Sequence, residues 1–459
     1  MVGPTVRPVA DHDQLPSRPT AAPPSDGAGR FVNWARTAIS SPVRWHLPTS
    51  EADLRHVIES AANRGRRLRI VGAGHSFSRI AVPDTEAVSL DAWGGAAVID
   101  RARGLVTVPA GMRLRELSAV LLREGFSLPI VGSIQAQSVA GAIATGTHGS
   151  SLQHGNIAGL VTGLRMITGT DDVLVIGEGD DRLDGARVHL GALGAVTEVT
   201  LRIVPAGRLH QTIEHIPIAE VPGALAPLAS SAEYVKVWWL PHAPLAQVVR
   251  YARTTEPATR WPSAVARRWV DERIMHRWVF PAMVALQHRR PALTAGMNSR
   301  LSRVYLGATS QVGQDTLMLN TPMPMRHRET EAALALGKAG KALEGVLDLF
   351  HDGRPAANFP LEIRFVRGDD MWMSPAQGAD TCQIGAYSTD GPDRRDYFER
   401  FWQVMRPLGA RPHWGKEFDH DAAELRPLYP NFDRFLKLRD AVDPQRIFGS
   451  DAHARMLGD

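Results

Sequence analysis

The sequence has a single cysteine, Cys382, among 459 residues. That excludes an intramolecular disulfide and a zinc site built on four thiolates. Lysine is scarce as well. Only Lys236, Lys338, Lys341, Lys416 and Lys437 occur, so arginine carries nearly all the positive charge. Lys and Arg total 52 against 48 Asp and Glu, a net charge of +4. So mild an excess is little reason to expect a nucleic-acid partner. Long apolar runs are missing too. Trp278 to Leu286 falls far short of the ~20 residues that cross a bilayer core, and Pro281 interrupts it. No membrane span is expected, and the N-terminus lacks a basic-then-apolar secretory pattern. The expected location is therefore cytoplasmic. No internal repeat is visible.

What remains is a globular composition, with 44% hydrophobic and 22% charged residues. At about 150 residues per domain the length fits two or three domains. Residues 1–29, with Pro4, Pro8, Pro16, Pro19, Pro23 and Pro24 among small polar residues, read as a leader that cannot bury a core. Ser50-Glu51-Ala52-Asp53 resembles a capping box, and Leu54, Val57, Ile58 and Ala61 follow at helical spacing. A strand over 68–71 then runs into a glycine turn. Further strands are predicted at 87–90, 98–99, 105–108, 161–168, 173–176 and 196–204, and a helix over 114–123. The texture changes near residue 207. Beyond it the pattern predicts a hairpin over 234–251, helical spacing in the Arg- and Trp-rich segment 257–303, and an amphipathic helix over 332–349. Strands at 361–366 and 383–387 and a helix over 397–405 complete a mixed α and β chain of two domains.

Three segments could carry chemistry. Gly72-Ala73-Gly74-His75 sits where a strand ends, and glycines there let backbone N–H groups approach an anion such as a diphosphate. His75-Ser76-Phe77 stands where a dinucleotide fingerprint would have its third glycine, so an ordinary strand-to-turn connection is the other reading. Gly132 to Ser150 is small, hydroxylated and free of acids, lysine and arginine. It suits a backbone-lined trench for a flat polar ligand, or equally a buried Gly/Ala helix. The third segment pairs Glu362-Ile363-Arg364 with His413-Trp414-Gly415-Lys416. On a strand Glu362 and Arg364 share a face, where they could orient a polyhydroxylated substrate or form a solvated salt bridge.

Together these segments resemble the vanillyl-alcohol-oxidase-type flavoprotein family, in its sugar-lactone and alditol oxidoreductase branch. The residues that carry the likeness are Gly72 to Ser78, Ser138 to Gly141, Ala144 to Ser150, Leu190 to Val196, Glu362 to Arg364, His413 to Lys416 and Asp443-Pro444, in the family's order. It runs from about Trp34 to the C-terminus and is weakest between 254 and 330. It implies an α+β fold: a two-part FAD-binding domain of the PCMH type over 30–207, an α+β substrate or cap domain over 208–410, and a segment 411–459 returning to the FAD domain.

The same resemblance implies FAD as cofactor, joined covalently through His75. Val71, Gly72, Ala73, Gly74, Ser76 and Phe77 would surround the diphosphate turn. Ser138, Gly141, Ala142, Thr145, Gly146, Thr147, His148 and Gly149 match the second FAD-contacting stretch, and Val199 lies on a strand that would meet the adenine half through its backbone. Ser133, His413 and Lys416 would lie near the flavin. Glu362, Arg364, Lys416 and Ser133 match the catalytic positions. Lys416 or Arg364 would supply a cation beside the reduced ring, while Glu362 and Ser133 orient the substrate. The implied reaction moves a hydride from a carbinol carbon to the flavin, and O2 or another acceptor takes the electrons. No metal is implied. In alditol-oxidising members the strand after Glu-Ile-Arg offers a histidine, whereas Thr381 to Ser388 here has none, which weighs against simple alditols. The Arg/Trp segment, with Arg267, Trp269, Arg273, Arg277 and Trp278, has no counterpart. It could shape the mouth for a larger glycoside or secondary metabolite, form an anionic-surface or nucleic-acid contact, or be plain surface.

Overall fold

The computed structural model of the chain describes residues 25, 29–259, 277–304, 310–321, 325–351, 357–389 and 394–458. The leader expected over 1–29 lies almost wholly outside them, as do Arg267, Trp269 and Arg273.

The N-terminal half is built on two sheets. Strand Glu86–Ser89 lies between Arg44–His46 and Leu68–Val71, parallel to both. A second, antiparallel sheet runs Val173–Gly177, Val161–Ile167, Ala195–Arg202, Leu105–Pro109 and Val98–Asp100. The helix Glu51–Asn63 begins where the sequence signals it. Ser50 caps it by accepting from the Asp53 N–H at 3.1 Å. Asp53 completes no capping box; its carboxylate takes the Thr49 hydroxyl instead. Leu54, Ile58 and Ala61 form the buried stripe.

The second half is organised by one eight-stranded sheet, whose first strand in sequence starts at Arg208. Its order is Ser310–Gln314, Arg208–Pro217, Leu245–Thr254, Tyr234–Trp239, Leu361–Val366, Thr381–Ser388, Arg328–Ala335 and Arg411–Pro412. The two-residue period of its central strands separates two chemistries. Val235, Val237, Leu361, Ile363, Phe365, Cys382, Ile384, Ala332 and Leu334 turn to one face, where helices Val221–Ala229, Leu336–Asp348 and Arg394–Met405 cover them. Lys236, Glu362, Arg364, Gln383, Glu329 and Glu331 alternate with them, and they too are buried.

The helix expected over 332–349 is in fact a strand followed by a helix. Arg328–Ala335 pairs with both Thr381–Ser388 and Arg411–Pro412, and the helix starts only at Leu336. Ala332 to Ala335 has helix-forming composition, and sheet pairing overrides it. Within 257–303 the described part holds helices Phe280–Arg289 and Thr294–Val304. The C-terminal residues Trp414, Tyr429, Phe432, Phe435, Ile447 and Phe448 are buried in the core that the N-terminal half supplies. Leu68 N–H donates to the Ile447 carbonyl at 2.7 Å, and Asp443 accepts from Ile447 and Phe448 N–H. No described helix is long and apolar enough to cross a membrane.

Candidate active site

Two cavities meet beside the Gly72–Ser76 turn. The first, of about 870 Å3, runs over Val71, Gly72, Ala73, Gly74, His75 and Ser76, past Ser138, Gly141 and Thr145, to Val196. The second, of about 670 Å3, is lined by His75, Ser76, Phe77, Ser133, Thr145, Thr147, His148, Arg364, His413 and Lys416. His75, Ser76, Gln137 and Thr145 line both.

The turn can be this tight only with glycine. A Cβ on Gly72 would stand 2.4 Å from the Ser138 hydroxyl, and Gly74 has a φ of +66°. Ser138 in turn caps the short helix Val139–Ala144 by accepting from the Gly141 N–H at 3.2 Å. Within the Gly132–Ser150 segment that helix has one side buried in the core and one lining a cavity. Val139, Ala142 and Ile143 are fully buried in the core, while Ala140, Gly141 and Ala144 face the first cavity.

The second cavity takes its charged wall from the polar face of the large sheet. Arg364 Nη2 lies 2.9 Å from Glu362 Oε2 and 3.2 Å from the Tyr387 hydroxyl, which donates to Glu362 at 2.7 Å. Glu329 and Glu331 each stand 3.9 Å from the same guanidinium. Gly385 lies opposite both Glu362 and Glu331, where a Cβ would stand 3.2 Å from the Tyr387 ring. Lys416 Nζ hydrogen-bonds Glu329 and sits 5.0 Å above the Phe77 ring. The backbone fixes its place, because His413 and Glu417 N–H donate to Glu331 and Glu329, and Phe77 N–H donates to Gly415. These charges are not solvated: Glu362 is 1% exposed and Arg364 7%.

Buried charge is tolerable only where it is compensated. Burial is the largest influence on the carboxyls of Glu331 and Glu362 and pushes them upward. Arg364 outweighs it, together with His148 and His413 for Glu331 and with Lys236, Trp238 and Tyr387 for Glu362, so both are held below the usual carboxylate range. For Glu329 burial prevails and raises the carboxyl. The Arg364 guanidinium, costly to bury, is held well above its ordinary value by Glu362 and Glu331. Burial pushes His413 down to about 3 and lowers His75, so both rings are neutral at pH 7. His75 Nδ1 donates to the Ala73 carbonyl at 3.0 Å, and its ring stacks on Trp34.

Several expected residues stand back from the cavities. Glu362 lies behind Arg364, lining a smaller space with Lys236, Ser133 and Gly149. Ala142 and Val199 have fully buried side chains, and Val196 is the member of its strand that lines the first cavity. Gly146, with φ +67°, ends the short helix beside Pro375. Conversely, Glu329, Glu331, Tyr387 and His327 line the second cavity without having been singled out. The Glu-Thr-Glu alternation at 329–331 was their one signal. His148, Glu331 and His413 also bring possible ligand atoms within 4.8 Å of one another.

The first cavity offers unfilled hydrogen-bonding capacity. His189 Nδ1 accepts from the Gly191 N–H at 3.0 Å, so the neutral ring has its proton on Nε2, and that atom has no partner among the described residues. Arg113 Nη1 has none either, although Nη2 pairs with Asp91 at 2.6 Å. Two buried donors and a glycine cradle fit the anionic and polar parts of a dinucleotide such as FAD.

Comparison with known proteins gives the same assignment. Residues 44–177 match the family model described as FAD binding domain, and residues 199–456 match that of D-arabinono-1,4-lactone oxidase. The chain is 33% identical to L-gulono-1,4-lactone dehydrogenase of Mycobacterium tuberculosis, over 93% of its own length and 99% of the relative's. It is 30% identical to L-gulonolactone oxidase of Scyliorhinus torazame and to alditol oxidase of a Streptomyces species, over 91% of its own length and 96% of theirs in each case. Its fold matches cholesterol oxidase from B. sterolicum with a TM-score of 0.80 at 16% identity, over 94% and 96% of the two chains. The chain belongs to the D-arabinono-1,4-lactone oxidase family of FAD-dependent oxidoreductases.

Proposed function

We propose that the enzyme oxidises a carbinol of an aldonolactone, or of a closely related polyhydroxylated compound, with FAD in the first cavity and the substrate in the second. The carrying observation is the junction of the two. A glycine-lined trench with unfilled donors opens onto a buried Arg364–Glu362–Tyr387 and Lys416–Glu329 network. The bound cofactor supplies the hydride acceptor.

The chain's own residues do the rest. Val71 to Ser76, Ser138, Gly141, Thr145, Arg113 and His189 hold the cofactor. Arg364 is locked by Glu362 and Tyr387 and presents its charge in a fixed direction. Lys416 places a second cation between Phe77 and Glu329. Fixed cations stabilise negative charge as it develops, without reorganising at that moment. Ser133 and Glu329 offer hydrogen-bonding groups to substrate hydroxyls, and Glu362 acts through Arg364 as a positioning residue.

Covalent attachment through His75 belongs to the same reading. Its support is a half-buried, neutral imidazole at the shared edge of the cavities, whose Nδ1 proton is committed to Ala73 and whose Nε2 lone pair can act as a nucleophile. Acid precipitation tests the attachment: flavin colour stays with the wild-type pellet and leaves that of His75→Ala. Colour released from the wild type would make His75 a non-covalent contact. Product analysis with lactones, alditols and oligosaccharides tests the substrate class, and no turnover of any lactone overturns it. Oxygen uptake compared with reduction of an artificial acceptor distinguishes oxidase from dehydrogenase.

A further inference from the structure

One wall of the second cavity has no task in that reading. His327 lines it together with Ser133, Tyr387 and Lys416, just ahead of the strand that carries Glu329 and Glu331. Its Nδ1 lies 2.8 Å from the Met325 carbonyl oxygen. A carbonyl only accepts, so in the neutral ring the proton is on Nδ1 and Nε2 carries a bare lone pair. Nε2 has no hydrogen-bond partner among the described residues. Trp34, Phe77, Phe359 and Tyr387 surround the ring, with centroids 5.2 to 5.5 Å away. Burial among them lowers the imidazole to about 4, so it is uncharged at neutral pH.

The other acceptors in this wall are carboxylates held by cations or histidines held by their neighbours, although Glu329 Oε1, both Glu331 oxygens, Glu362 Oε1 and His148 Nε2 have no hydrogen-bond partner among the described residues; His327 makes no ion pair among them. Glu362 Oε2 takes the Tyr387 hydroxyl and Arg364, and Glu329 Oε2 takes Lys416. Glu331 faces Arg364 and His148. His413 Nδ1 accepts from the Gly415 N–H, and His148 Nδ1 donates to the Gly149 carbonyl.

We infer that His327 Nε2 receives the hydroxyl proton of the substrate carbinol. The inference rests on the oxidoreductase reading above. In the step the O–H bond breaks and an N–H bond forms at Nε2, leaving an imidazolium. The carbinol C–H bond breaks, its electron pair leaving as hydride to oxidised FAD, and the carbon–oxygen bond becomes double. A carbinol stripped of hydride is a protonated carbonyl, a far stronger acid than imidazolium, so even a weakly basic ring accepts its proton. Of the charges that act on this ring, Lys416 opposes the imidazolium and Glu362 favours it.

The test uses the purified flavoprotein mixed anaerobically with L-gulono-1,4-lactone, following flavin bleaching. It yields a limiting rate and, from saturation, a lactone Kd. His327→Phe keeps the aromatic packing and removes the nitrogen. Its limiting rate falls roughly 10²- to 10⁴-fold, the range of a lost general base, while Kd stays within about threefold. A wild-type limiting rate in His327→Phe overturns the inference, and so does a loss confined to Kd. If His327→Phe fails to hold flavin, His327→Gln decides, because glutamine accepts a hydrogen bond but takes no proton at neutral pH. Its limiting rate falls with Kd unchanged, and a wild-type rate overturns the inference. A wild type that no lactone or polyol bleaches contradicts the oxidoreductase reading itself, a failure distinct from that of His327.

Discussion

The two cavities are built on opposite principles. The first is made largely of backbone and small side chains from two short segments, Val71 to Ser76 and Gln137 to Thr145, completed by Arg113, His189 and Val196. Its selectivity comes from close approach. The second is walled by two acids, an arginine and a lysine, with a third acid behind the arginine, gathered from the strands at 328–335 and 361–366 and the turn at 413–416. Its selectivity comes from fixed charge. A ligand site of the first kind is damaged by adding a methyl group, one of the second kind by removing a charge.

The largest expected effect breaks the second cavity. Arg364→Leu leaves Glu331 and Glu362 buried without their main counterion, a loss on the order of 3–5 kcal/mol of stability. Thermal unfolding should shift down accordingly, with turnover abolished. Lys416→Ala is a cleaner cut. It should lower the limiting rate of flavin reduction by roughly 10²- to 10³-fold, the usual weight of one preorganised donor, while the visible spectrum still shows bound flavin. Unchanged turnover would remove Lys416 from the catalytic set.

Acid sharpens the comparison, because each cavity carries a neutral buried histidine. His413 and His189 are held near 3, against 6.5 for an ordinary imidazole. Between those values the unfolded chain binds protons that the folded chain refuses. Stability is therefore full above about pH 6.5 and falls as pH drops, by about 1.4 kcal/mol per pH unit for each ring. Denaturant unfolding at pH 7, 6 and 5 measures this, and His413→Asn should reduce the slope. The smallest effect belongs to the first cavity. Gly72→Ala, whose methyl meets the Ser138 hydroxyl, costs roughly 1–3 kcal/mol through overpacking and loosens flavin retention. Adding Ser138→Ala should recover part of the loss, since the two positions touch.

That contrast also explains what could be read from sequence. The first cavity was legible because its determinants are local: a glycine turn after a strand, and a run of small residues. Glu362 and Arg364 were legible as a pair because a two-residue period fixes a shared face. Their companions were not. Glu329 and Glu331 come opposite Tyr387 and Gly385 only through strand pairing, and the Ala- and Leu-rich residues after them read as helix. His327 carried no pattern at all; its place depends on rings contributed by residues 34, 77, 359 and 387. On the strand that carries Val199, the side chain of Val199 is buried and Val196 lines the first cavity, a distinction set by strand pairing rather than by sequence spacing. Long-range pairing, not local propensity, assembled the charged wall.

The most direct test of the central claim, that the glycine trench and the charged face form one oxidoreductase site, is anaerobic addition of L-gulono-1,4-lactone and related lactones to the purified yellow protein. The account predicts bleaching of the flavin bands by at least one lactone in the wild type, and flavin that stays oxidised in Lys416→Ala on the same timescale. Flavin that no lactone or polyol bleaches in the wild type, or that bleaches equally fast in the variant, would contradict it.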